Sequence, residues 1–120
     1  MPEVAARDAA LRDTAELFAA LADETRLRML VVLHRLGELC ACDLEAGLEV
    51  TQSRASRHLS TLRRVGLVED RRDGAFVYYR LADPLPPVAR PTLDELFATR
   101  LPTSAADLTR TKKQRRSPCG

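Results

Sequence analysis

A glycine-rich phosphate loop, a histidine cluster and a long apolar run are all missing from this 120-residue sequence, and each absence removes a class of function. His34 and His58 are the only histidines, so a nucleophile–base constellation has little to draw on and the chain is not expected to be an enzyme. The apolar runs, Met29–Leu33 between Arg28 and His34 among them, fall far short of the roughly 20 residues of a membrane span. The opening stretch MPEVAARDAALRDTAEL lacks the basic-then-apolar order of a signal peptide and reads as an amphipathic helix, so a cytoplasmic address follows. Three cysteines, Cys40, Cys42 and Cys119, are expected in that reducing compartment as thiols rather than as a disulfide framework. No membrane partner, organic cofactor or protein substrate is expected.

What is present is an ordinary globular composition, 45% hydrophobic and 30% charged, in one domain's length of chain. Net charge is only +2, but it is unevenly spread. Residues 1–50 carry five arginines against ten acidic residues, and residues 51–80 carry seven arginines against three. Residues 81–99 are mildly acidic, whereas residues 100–120 hold six basic residues and one acid. A basic middle and a basic tail on an acidic body point to a directional polyanion-binding face.

Periodicity divides the chain into helices and one hairpin. Residues 8–22 space Leu11, Leu17, Phe18 and Leu21 as a helix does. Asp23 offers an N-cap for ETRLRMLVVLHRL, which Gly37 ends; with Leu27, Leu30, Val31, Leu33 and Leu36 this is the expected central core helix. A short third helix covers 41–48. A fourth follows Thr51 and runs QSRASRHLSTLRRV to Gly66, with Ala55, Leu59, Leu62 and Val65 on its inner side. Then LVEDRR and AFVYYRL read as two strands joined at Asp73-Gly74. A last helix, VARPTLDELFATRL, is expected to be closed by Pro102, and residues 102–120 read as a basic, disordered tail beyond a domain of residues 1–101. The predicted fold is mainly α with a β-hairpin wing, a winged helix-turn-helix of order α-α-α-α-β-β-α.

A DNA-reading helix is apolar inside and carries short polar or arginine side chains outside, so that it fits the major groove. Helix 52–65 meets that description. Gln52 suits an adenine edge, and Arg54 or Arg57 suits guanine. Thr51, Ser53, Ser56 and His58 are the further candidate contacts, with phosphates the natural partners of the short hydroxyls. Arg71 and Arg72 flank the hairpin tip, where a wing meets the neighbouring backbone. Double-stranded operator DNA is the expected partner.

The stretch LFAALADETRLRMLVVLHRLGELCACDLEAGLEVTQSRASRHLSTLRRVGLVEDRRDGAFVYYRL, residues 17–81, resembles the ArsR/SmtB family of metal- and metalloid-sensing repressors. LADETRLRMLVVL, the S-x-x-S-x-H-L of Ser53–Leu59 and the D-G wing carry the likeness. ELCACDL, residues 38–44, is similar to the ELCVCDL segment of the arsenite- and antimonite-responsive branch. The resemblance implies a homodimer held by its first and last helices, which represses resistance genes until trivalent arsenic or antimony binds cysteine thiolates and releases it. The branch pattern is C-x-C-x-x-C, but here its third position is Glu45. Trivalent arsenic prefers three soft thiolates, so the candidate ligands are Cys40, Cys42 and Cys119, the last from the same subunit or across the dimer. Two alternatives share the scaffold: a trivalent organoarsenical needs only two thiols, and a redox switch needs only an oxidisable cysteine.

By position Cys40 is the expected N-cap of the third helix, with Cys42 in its first turn. Residues i and i+2 on an ideal helix face apart. On that geometry, chelation by both cysteines is expected to distort or unwind the helix start and so displace helix 52–65.

Overall fold

Local capping chemistry sets most of the boundaries. In the computed structural model, which describes residues 2–99 and 102–115, α1 covers Pro2–Leu21 and α2 covers Glu24–Leu36. Between them the Asp23 side chain accepts the backbone N–H of Arg26 at 3.0 Å and caps α2. Gly37, at φ 79°, ends α2 in a conformation that glycine adopts without steric cost. A two-residue strand β1, Leu39–Cys40, leads into α3, Ala41–Leu48. Thr51 caps α4, Gln52–Arg64, by accepting from the backbone N–H of Arg54. The wing is β2, Val68–Asp73, and β3, Phe76–Leu81; α5, Arg90–Ala98, and α6, Pro102–Arg115, complete the chain.

The core lies where α2 meets everything else. Met29, Leu30, Val32 and Leu33 of α2 are fully buried with Leu44 and Leu48 of α3, Leu59 and Leu62 of α4, and Leu93 of α5. Ala55, Leu59 and Leu62 turn inward as the three-and-four spacing requires, leaving the polar side of α4 outside. The winged helix-turn-helix expectation therefore holds, and three features of the structure go beyond it or differ from it.

The hairpin turn is shifted by one residue. Asp73 pairs with Phe76, so the two loop residues are Gly74 and Ala75 rather than Asp73 and Gly74. Gly74, at φ 61°, takes the first loop position, where the twist of the strands demands a positive φ. The wing is also not a free hairpin. β1 pairs antiparallel with β3, Leu39 opposite Tyr79 and Cys40 opposite Tyr78, giving a three-stranded sheet of order β1-β3-β2.

The segment expected to be a disordered tail contains α6, and tertiary contacts explain why. Asp107 is fully buried and accepts from Arg28 Nε and Nη2, both at 2.8 Å. Arg110 donates to Asp107 at 2.7 Å and to the Gly47 carbonyl at 2.8 Å. Thr111, also fully buried, lies so close to Gly47 that a β-carbon there would overlap its Oγ1. A polar helix with little apolar face is thus held by a buried ion-pair cluster and one close backbone approach.

Candidate nucleic-acid interface and cysteine site

The outward side of α4 is built as the sequence suggests. Thr51, Gln52, Ser53, Arg54, Ser56 and Arg57 are all exposed, in a row beginning at the helix N-terminus. No acidic residue stands in the first turn, and that end carries the positive pole of the helix. Arginine side chains on an open helix face above a positive helix end are the chemistry that suits an anionic partner.

His58 is placed differently. Its ring is largely covered, and Nδ1 accepts a hydrogen bond from Arg26 Nη1 at 3.1 Å, which fixes a neutral imidazole because arginine can only donate. Burial is the main cause that lowers its pKa below 6.5, opposed by Asp23 4.0 Å away. Arg26 also donates to the Ala20 and Ala19 carbonyls at the end of α1. His58 therefore ties the back of α4 to the α1–α2 junction.

At the wing, Arg72 is exposed, whereas Arg71 is engaged. Its Nε donates to both carboxylate oxygens of Glu38 at 2.9 Å, and Nη2 donates to one of them at 2.6 Å. The guanidinium lies 4.6 Å from the ring centroid of Tyr78. This bonding lowers the pKa of Glu38 below its ordinary value. Neither Glu38 nor Tyr78 was among the expected site residues. Tyr78 meets Arg71 across the β2–β3 ladder, and Glu38 is brought in by two-residue β1, which is too short for a period-2 pattern to show.

The cysteines meet. Cys40, extended at φ −67° and ψ 148°, is the N-cap of α3, and its Sγ lies 2.7 Å from that of Cys42. The expectation that the two side chains face apart is thereby corrected. The i, i+2 divergence applies to two helical residues, and Cys40 is a strand residue that folds its side chain over the first turn. Asp43 locks this arrangement by accepting the Cys40 backbone N–H at 3.2 Å. Cys40 is buried and Cys42 half-buried, so the pair opens to one side. Two sulfurs must lie within about 4 Å to share one soft centre at ~2.3 Å from each, so the pair suits a thiophilic ion once Cys42, disulfide-bonded in this structure contrary to the expectation of thiols, is reduced. Among the described residues no group of three or more His, Cys, Asp or Glu converges; Cys119 lies outside them. No helix among the described residues is long and apolar enough to cross a membrane.

Comparison with known proteins agrees with this geometry. Residues 23–70 match the model of "Bacterial regulatory protein, arsR family". The arsenical resistance operon repressor of Escherichia coli is 49% identical over 82 residues, which are 68% of this chain and 70% of that protein. Among solved structures, the homodimeric winged helix-turn-helix DNA-binding domain Mb0332 from Mycobacterium bovis superposes with a TM-score of 0.63 at 33% identity, covering 77% of this chain and 78% of that one. The antimony-specific transcriptional repressor AntR superposes with a TM-score of 0.60 at 31% identity, covering 72% and 76%.

Proposed function

This chain belongs to the ArsR family of bacterial regulatory proteins, which are transcriptional regulators and not enzymes, and from that premise we propose that it is a cytoplasmic, dimeric repressor released from operator DNA by a trivalent metalloid. The observation that carries this reading is the meeting of the Cys40 and Cys42 sulfurs at the start of the helix that precedes α4.

The roles follow from placement. Gln52, Arg54 and Arg57 read base edges, while Thr51, Ser53, Ser56 and the α4 N-terminus hold phosphates. Arg72 reaches the flanking backbone from the wing. His58 acts from behind, fixing how α4 sits on the body. Val4, Leu11 and Phe18 stand exposed on α1, and Val88 just before α5; these apolar side chains are the surface left for a second copy of the chain. In the reduced protein Cys40 and Cys42 bind arsenic or antimony, with Cys119 as third ligand. Release then requires only that the metalloid bind the DNA-free arrangement more tightly than the DNA-bound one.

The test treats reduced protein with excess arsenite anaerobically, removes unbound reagent and counts thiols that still react in the folded state. Operator binding is titrated in parallel. Protection of Cys40 and Cys42 with a fall in operator affinity is the expected result. Protection of Cys119 as well makes the site three-sulfur; continued reaction of Cys119 makes it two-sulfur. Three reactive thiols, or full occupancy with unchanged operator affinity, rejects the metalloid reading. Release reversed by reductant alone, with no metalloid, points to the redox switch.

A further inference from the structure

The sheet places the cysteine segment and the wing arginine in one row. Cys40 on β1 pairs with Tyr78 on β3, and Tyr78 pairs with Arg71 on β2. Glu38, two residues before Cys40, reaches across this row and grips Arg71 Nε and Nη2. Nη1 faces the Asp73 carboxylate at 3.8 Å, and the guanidinium's flat face lies against Tyr78. Both edges of the guanidinium therefore face carboxylates of its own chain. Such an arginine adds little to the counterion release that drives phosphate binding. Yet Arg71 and Glu38 both keep part of their side chains in solvent, at 53% and 32% exposure, so the pair is weak enough to be exchanged for another anion.

We propose that Glu38 is an internal competitor of DNA phosphate for Arg71, so that the cysteine-bearing strand limits how much of the wing's charge the operator can use. This rests on the DNA-binding reading above. Arg71 and phosphate form the same bidentate geometry that Arg71 and Glu38 already show, so the two anions exclude one another. Glu38 is a positioning residue: it touches no DNA and acts through Arg71. Arg72, its neighbour in sequence, pairs with Val77 and points its exposed side chain to the other face, outside Glu38's grip.

The test is a double-mutant cycle on the full, reduced, effector-free chain, with a fluorescein-labelled duplex from the DNA upstream of its own gene as probe. Glu38→Gln is expected to bind about two- to five-fold tighter than wild type, the factor that an exposed ion pair sets. In the Arg71→Gln background the same change is expected to give no gain. A Glu38→Gln protein that binds no tighter than wild type overturns the proposal. A gain that persists in the Arg71→Gln background also overturns it, because it then reflects only the loss of one negative charge near DNA. Both variants alter half-exposed side chains, and circular dichroism checks that they are folded. If the wild type itself fails to bind duplex DNA, the DNA-binding reading fails; if it binds and the cycle shows no coupling, only the Glu38 proposal fails.

Discussion

Replacing one member of the Arg28–Asp107–Arg110 cluster tests whether α6 is held as the structure shows. Breaking a buried ion pair costs about 3–5 kcal/mol when the remaining partner is stranded away from water. The three members are not equivalent. Asp107 is fully buried, whereas the Arg28 and Arg110 side chains keep 23% and 36% exposure. In Asp107→Ala the stranded charges are arginines that retain some water. Arg28 also keeps the Leu48 carbonyl at 2.8 Å, and Arg110 keeps the Gly47 carbonyl. The expected cost is therefore below that range, about 2–3 kcal/mol. Arg28→Met strands a carboxylate with no exposure and one remaining cation, so it is expected to cost more, about 3–5 kcal/mol. A ceiling applies to both, since neither can cost more than undocking α6, which a chain ending at residue 101 measures directly. The assay is urea unfolding at one fixed protomer concentration, because dimerisation adds to apparent stability. A cost under about 0.5 kcal/mol for both variants, typical of surface changes, refutes the docked α6. Asp107→Ala costing more than Arg28→Met refutes the argument from exposure.

Two further outcomes follow. Gly47→Ala would place a β-carbon 2.9 Å from the Thr111 Cα, so it is expected to destabilise by about 1–3 kcal/mol despite alanine's better helix propensity; the penalty is expected to vanish in the chain ending at residue 101, and its survival there would contradict the contact. His58, whose folded pKa is held below 6.5 mainly by burial, contributes fully above that pH. As pH falls below 6.5 the unfolded chain takes the proton first, so stability declines until the folded histidine is protonated too, and urea unfolding of His58→Gln is expected to show a shallower decline than wild type.

Much of this architecture is legible in the sequence because its punctuation is local chemistry. Asp23 before α2, Gly37 after it and Thr51 before α4 each do what a capping residue does within four positions of itself. The wing's existence follows from alternation, but its turn moved by one residue because Asp-Gly and Gly-Ala both suit a two-residue loop, and the register of six paired residues decides between them. The tail was misread for a physical reason. TSAADLTRTKKQRR has no apolar stripe to signal a packed helix, and its partners, Arg28 and Gly47, lie more than sixty residues away. Two hints were present all the same: Asp107 is the lone acid in a basic segment, and Gly47 sits inside a helix where only a close approach explains it. The cysteine spacing brings Cys40 and Cys42 forward as candidates, whereas the geometry between their sulfurs depends on β1, a strand too short to read.

These late-found elements share one consequence for α3. A helix of eight residues is too short to hold its own shape, so its position is decided by what grips its ends. Its start is fixed by the β1–β3 pairing and by Asp43 on the Cys40 N–H. Its end is fixed by Arg28 on the Leu48 carbonyl, Arg110 on the Gly47 carbonyl and Thr111 against Gly47. The end grip contains a buried ion-pair cluster, and the start grip includes two strand residues and a capping bond. The start is where the two sulfurs lie. Sulfurs sharing a centre at ~2.3 Å from each must keep a set separation, so occupancy acts on the start of the helix. A displacement there also carries Glu38, just ahead of β1, and through it the hold on Arg71. The cysteine site thus has a short physical route to the wing as well as to α4, and neither route requires α3 to unwind.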